Sequence, residues 1–172
     1  MRNAVRGRPP EIGVVLDLLD EAFDRRSWHG TNLRGSIRGL TTRDAAWRPR
    51  PGAHNVWEIV VHTAYWKYAV WRRLTGAKRG SFAYAGSNWF PRPQAATERA
   101  WREDVVLLTA EHRRLRQAVA GLQAKDLGPG SAAGRRLHLI RGIAAHDLYH
   151  AGQIQLLKRL QRGIASGGGR KA

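Results

Sequence analysis

Apolar residues recur at three- and four-residue steps in four separate stretches of the chain, and none of them shows the strict alternation of a half-buried strand. In the first stretch, Glu11 to Leu40, one stripe holds Ile12, Val15, Leu16, Leu19, Ala22 and Phe23, with acids on the opposite face. Trp28-His29-Gly30 interrupts it and predicts a bend before Leu33 and Ile37 resume the stripe. Thr41 to Ala53, with Pro49 and Pro51, reads as a loop. The second helix has a clear start, because Asn55 followed three residues later by Glu58 has capping-box spacing. It runs through Val61, His62, Trp66, Ala69 and Trp71 to Gly76, a C-cap residue. Residues 77–96 form a long connection broken by Gly80, Gly86, Pro91 and Pro93, yet rich in aromatics at Phe82, Tyr84, Trp89 and Phe90.

From Thr97 a third helix carries Trp101, Val105, Leu108, His112, Leu115, Val119 and Leu122 in a heptad-like seam. Gly128, Pro129, Gly130 and Gly134 make 125–136 a loop, and the fourth helix is expected over Leu137 to Gln161. Four long helices and no strand pattern predict an all-α fold, a four-helix bundle.

At 172 residues the chain suits one domain with its own core. The expected division is a flexible basic leader over 1–10, the bundle over 11–161 and a flexible Gly-rich basic tail over 162–172. With no apolar run approaching ~18 residues, no membrane helix is expected, and the cytoplasm is the expected location. The net charge of +17 raises the question of nucleic acid. Part of that charge sits near the ends, at Arg2, Arg6, Arg8, Arg162, Arg170 and Lys171, and the rest is scattered arginine. The distribution therefore reads as a solvated basic surface rather than a nucleic-acid site. Cysteine is absent, which excludes a disulfide framework, thiolate zinc ligation and a cysteine nucleophile.

Any metal must then be held by His, Asp or Glu. His146 and His150 lie four apart in the fourth helix and within ~40° of the stripe through Ile143, Ile154 and Leu157. Two imidazoles aimed inward need hydrogen-bond partners or a shared cation, and the spacing alone leaves both readings open. His62 shares its face with Ile59 and Ala69, so it too points inward. Three histidines from two helices would occupy three corners of a tetrahedron and leave one position open, as catalytic sites do. Imidazole suits zinc, nickel, iron or copper.

Other residues are candidates for the surroundings. Gln153 follows His150 by three and is placed to hydrogen-bond a ligand imidazole or pack between helices. Glu58 shares the His62 face and is a candidate base, although its capping role already accounts for it. His112 on the third seam is placed either to approach the site or, as the favoured reading, to be a hydrogen-bonded core histidine; His29 reads as a residue of the pocket lining, and His54 and His138 as solvent-facing. Trp57, Trp66, Trp71 and Trp101 read as core or pocket wall. Asp147, roughly 60° off the stripe, is open to a supporting role behind the histidines but reads first as a surface acid.

The segment Gly142-Ile-Ala-Ala-His146-Asp-Leu-Tyr-His150-Ala-Gly-Gln153-Ile, with His62 in Trp57-Glu-Ile-Val-Val-His62-Thr-Ala-Tyr-Trp66, resembles the DinB/YfiT-like metalloenzyme superfamily. The likeness runs from Trp28 through Leu160. It implies a four-helix bundle of unusual connectivity, one divalent metal ion (zinc, nickel or iron) on His62, His146 and His150, and a homodimer. Characterised relatives include bacillithiol transferases and a mycothiol-dependent maleylpyruvate isomerase. The resemblance thus implies a metal-dependent transferase using a low-molecular-weight thiol; hydrolysis fits the same ligands. The alternative is a non-catalytic metal- or ligand-binding stress-response protein.

Overall fold

The computed structural model describes residues 9–128 and 130–167. Six helices follow in order: α1 Pro10–Phe23, α2 Leu33–Ile37, α3 Thr42–Ala46, α4 Val56–Thr75, α5 Glu98–Ala120 and α6 Ser131–Gly167, with a 3-10 turn at Ala124–Asp126. Among the described residues there is no strand, in keeping with the all-α class.

Pro10 sits in the first turn of α1, where its missing N–H costs nothing and its fixed φ suits a helix. All six residues of the predicted stripe, Ile12 to Phe23, are buried. The long first helix is in fact two. α1 ends at Phe23, Gly30 adopts φ 109°, outside the right-handed helical region, and Asn32 caps the short α2 by accepting from Gly35 N at 2.8 Å. The stretch 41–53 is likewise only partly loop, because Thr41 and Asp44 form a capping box that starts α3. A single turn of helix leaves too few residues for its periodicity to be read.

The start of α4 is as predicted. Asn55 Oδ1 accepts from Glu58 N at 2.8 Å, Asn55 N donates back to Glu58 at 3.3 Å, and Gly76 closes the helix in the left-handed region at φ 73°. Trp101, Leu108, His112, Leu115 and Val119 of the α5 seam are buried. α6 is longer than expected at both ends. It begins at Ser131 despite Gly134, since Ala133 is buried and Arg136 lies 3.3 Å from Asp126. At its other end it continues through Gly167, past the expected start of the tail at 162. Residues 1–8 of the expected leader and 168–172 of the tail lie outside the described residues.

α4 packs against α5 and α6, and α1 against the same two helices. One part of the core gathers Trp57, Val60, Val61, Phe90, Leu108 and Ile154; the other joins Ile12, Leu16 and Leu19 of α1 to Leu115, Val119 and Ile140. Each fully buried Leu or Ile contributes roughly 1.5–3 kcal/mol. The 77–96 connection folds back onto α4, with Phe90 inside the core and Phe82, Tyr84 and Trp89 against it. That return brings Asn88 and Trp89 to the place where α4 meets α6.

Candidate metal centre

His62 sits in the second turn of α4, and His146 and His150 are one turn apart on α6. The two helices run in opposite senses, so that Trp66 and Arg73 of α4 meet progressively earlier residues of α6. His62 Nε2 and His150 Nε2 each lie 3.1 Å from His146 Nε2, and the three form a group that could hold a metal ion. Tetrahedral ligation with metal–nitrogen bonds of about 2.0–2.1 Å puts neighbouring nitrogens about 3.3 Å apart, close to that 3.1 Å spacing.

Hydrogen bonding fixes what these nitrogens offer. His62 Nδ1 faces the backbone carbonyl of Asn88 at 2.9 Å, and a carbonyl only accepts, so Nδ1 carries the proton and Nε2 a lone pair. His150 Nδ1 donates in the same way to Gln153 Oε1 at 2.7 Å, while the Gln153 amide donates to the Tyr149 hydroxyl at 2.9 Å. Two lone pairs therefore converge on His146 Nε2, and a single proton there can satisfy only one of them. A cation satisfies all three, so the donor set fits a divalent metal. His146 differs from its neighbours in that its buried Nδ1 has no hydrogen-bond partner among the described residues.

The electrostatics favour the ligating form. Burial, reinforced by the neighbouring imidazoles, pushes His146 down to about 3. Burial and His62 hold His150 at about 4 despite the Gln153 hydrogen bond. Burial also lowers His62. All three rings are neutral at neutral pH, as metal ligation requires.

Trp66, Asn88, Trp89, Tyr149 and Gln153 complete a cleft of about 410 Å3 around the histidines. Trp89 stacks on His62 at 3.8 Å between ring centroids and on His54 at 3.6 Å. His54 is exposed, as expected, while it stacks on Trp89. Asn88 has φ 65°, which lets its carbonyl meet His62 while its Oδ1 accepts from Trp66 Nε1 at 3.0 Å. Asn88 and Trp89 escaped the sequence reading because they come from a connection without periodicity. An Asn within an aromatic run was the one local sign of such a turn. Tyr149 lay inside the His-x-x-Tyr-His block without an assigned role.

The remaining candidates are elsewhere. Glu58 is engaged by both Arg48 guanidinium nitrogens, by His54 and by the backbone N–H groups of Asn55 and Arg92. Burial alone would raise its pKa, but these hydrogen bonds and the Arg48 charge hold it at about 2, far from a base poised for neutral pH. His112 is buried and stacked on Phe23 at 3.7 Å, with burial driving it down to about 2. His29 lies on the exposed Ser27–Gly30 turn and does not line the cleft, because α1 ends before the chain can carry it inward. His138 is exposed on α6. Asp147 corrects the expectation most sharply. It is 0% exposed and paired with the equally buried Lys67 of α4. Neighbours on both sides of α6 make its buried arc wider than its apolar stripe.

No helix among the described residues is long and apolar enough to cross a membrane. No curated protein and no solved structure matches the chain significantly. The sequence profile of the DinB superfamily matches residues 25–154, a span that includes all three histidines. With well over half its length in that match and an all-helical fold around His62, His146 and His150, the chain belongs to the DinB superfamily.

Proposed function

We propose that the protein is a divalent-metal-dependent enzyme of the thiol-dependent transferase or hydrolase type. It works as a homodimer, and its metal ligands are His62, His146 and His150. The observation that carries this reading is the convergence of three Nε2 atoms, two of them with their tautomer fixed from behind, on a cleft open to solvent. A divalent cation held by three imidazoles supplies a Lewis-acidic position for a thiol, water or carbonyl.

The chain's own groups do the rest. Asn88 and Gln153 keep the His62 and His150 lone pairs pointed inward. Trp89, stacked flat on His62, shields that ring from water. The Tyr149 hydroxyl accepts the Gln153 amide hydrogen, so its own proton is free to be donated into the cleft.

Elemental analysis of protein purified without a His tag is expected to find about one metal per chain, and none in His150→Ala. Equal content in both would remove the site. The metal-loaded protein is further expected to speed alkylation of cysteine or glutathione thiol, or hydrolysis of an activated ester. A loaded protein that leaves both rates unchanged would replace the enzyme with a protein whose ion only braces its helices.

A further inference from the structure

We propose that the groove between α4 and α6 beyond the three histidines is the substrate channel, and that it takes a small molecule with an apolar body and a carboxylate or phosphate head held by Arg73. This deepens the metal-centre reading and rests on it for the reacting end of the ligand.

On α4 the steps from His62 to Trp66, Val70 and Arg73 keep all four on one face. Opposite them, α6 contributes His146, Ile143, Gly142 and His138 in reverse order. Between the helices lies a cleft of about 140 Å3, which shares Trp66 and His146 with the metal-centre cleft. Its size suits one six-membered ring, since an apolar cavity of about 150 Å3 accepts benzene. Trp66 spends its N–H on Asn88, so the indole offers the cleft an apolar wall.

Gly142 lines this space without a side chain to enter it. A Cβ there would meet nothing within 4 Å, so no steric demand of the fold calls for glycine at this position. A glycine in a helix interior nevertheless costs about 1 kcal/mol against alanine.

The far end is cationic. The Arg73 guanidinium carbon lies 5.9 Å from the Trp66 ring centroid, so a single indole separates it from His146. Arg73 is exposed at the mouth of the slot and makes no ion pair among the described residues. No Asp or Glu lines either cleft. A guanidinium at the end of an apolar slot, without a carboxylate partner, selects an anion through charge-assisted hydrogen bonds. The ligand would thus lie with its head on Arg73, its body along Trp66, Val70 and Ile143, and its other end toward the histidines.

Calorimetric titration of the zinc-loaded full chain with phenylacetate, phenyl phosphate and neutral phenylacetamide tests this. At least one anion is expected to bind about tenfold or more tighter than the amide, and the tighter anion identifies the head group. Arg73→Gln is expected to abolish that preference while leaving amide affinity and zinc content unchanged. Gly142→Leu, which fills the slot and suits a helix better, is expected to weaken all three probes about tenfold or more with wild-type helicity and zinc content. Equal affinity for anions and amide, no saturable binding of any probe, or unchanged binding in Gly142→Leu would each overturn the proposal. An anion preference that survives Arg73→Gln would overturn it too, since the anion would then be on the metal. If the wild-type chain took up no metal yet kept an Arg73-dependent preference, the channel would stand and the metal-centre reading would fall.

Discussion

Between α4 and α6 the molecule buries polar side chains in two neighbouring places. At Lys67 and Asp147 it buries opposite charges that meet directly. At His62, His146 and His150 it buries neutral rings whose lone pairs face one another. Burial works against the charged form of both members of the first contact, lowering Lys67 and raising Asp147, and their mutual attraction opposes it. That contact pairs the two charges within the protein, although the second carboxylate oxygen, Asp147 Oδ1, has no hydrogen-bond partner among the described residues. The second, built from the same two helices and a turn away, has two lone pairs facing a ring nitrogen that can offer only one proton. Adjacent positions on one helix, His146 and Asp147, thus serve opposite ends: one holds the helices together and the other leaves a place to fill.

The comparison breaks most visibly if the histidines are self-sufficient. His146→Ala removes the nitrogen shared by both short contacts, and bound metal is expected to fall from about one per chain to nearly none, read by elemental analysis. A variant that retained its metal would make the two contacts alike.

Next in size is the ion pair. Asp147→Ala strands a buried ammonium and is expected to lower stability by about 3–5 kcal/mol in urea denaturation. The double replacement Lys67→Met with Asp147→Leu should recover most of that loss. A double variant as unstable as the single one would show that the ions do more than cancel each other.

Acid sharpens the contrast in the metal-free protein. Burial depresses His146 to about 3 and His150 to about 4, against an ordinary value of 6.5. Below pH 6.5 the unfolded chain therefore binds protons that the folded chain refuses. Stability is full above about 6.5 and falls as pH drops toward those values. Glu58, ordinarily 4.5 and held at about 2, adds a second, lower window in which its hydrogen bonds are lost. Stability of the metal-free chain measured against pH should begin to decline near 6.5, and His146→Ala should make that first part shallower without abolishing it, because His112, held at about 2, and His150 resist protonation in the same window. A wild-type curve flat down to 4.5 would mean that the rings are not desolvated.

The smallest effect concerns orientation. Gln153→Leu removes the acceptor behind His150 and should weaken metal binding by about 10- to 100-fold. Titration with a competing chelator reads the affinity, and the change in folding stability should stay within about 1 kcal/mol. Unchanged metal affinity would show that the His150 tautomer is held by something other than this amide.

Much of this fold was legible in advance because its determinants are local. The Asn55–Glu58 box, the six-residue apolar stripe of α1 and the α5 seam are relations between residues three or four apart, which a helix brings together by its own geometry. The same rule placed His146 and His150 on one face and turned His62 inward, and the lack of cysteine left His, Asp and Glu as the candidate ligands. What stayed hidden depended on distant partners. Periodicity marks the centre of a buried face but not its width, and only the packing of α6 between α1 and α4 carries Asp147 to Lys67. Asn88 reaches His62 across 26 residues of sequence through a turn at φ 65° that no hydrophobic pattern encodes. Arg73 looked like one arginine among many, and only the assembled groove set it beside Trp66 with no acid in reach. The amino-acid order by itself determined the long helices and which faces carry the histidines, since both follow from neighbours along the chain. Tertiary structure alone decided which polar groups are satisfied within the protein and which are left for a ligand, because that depends on what each face meets.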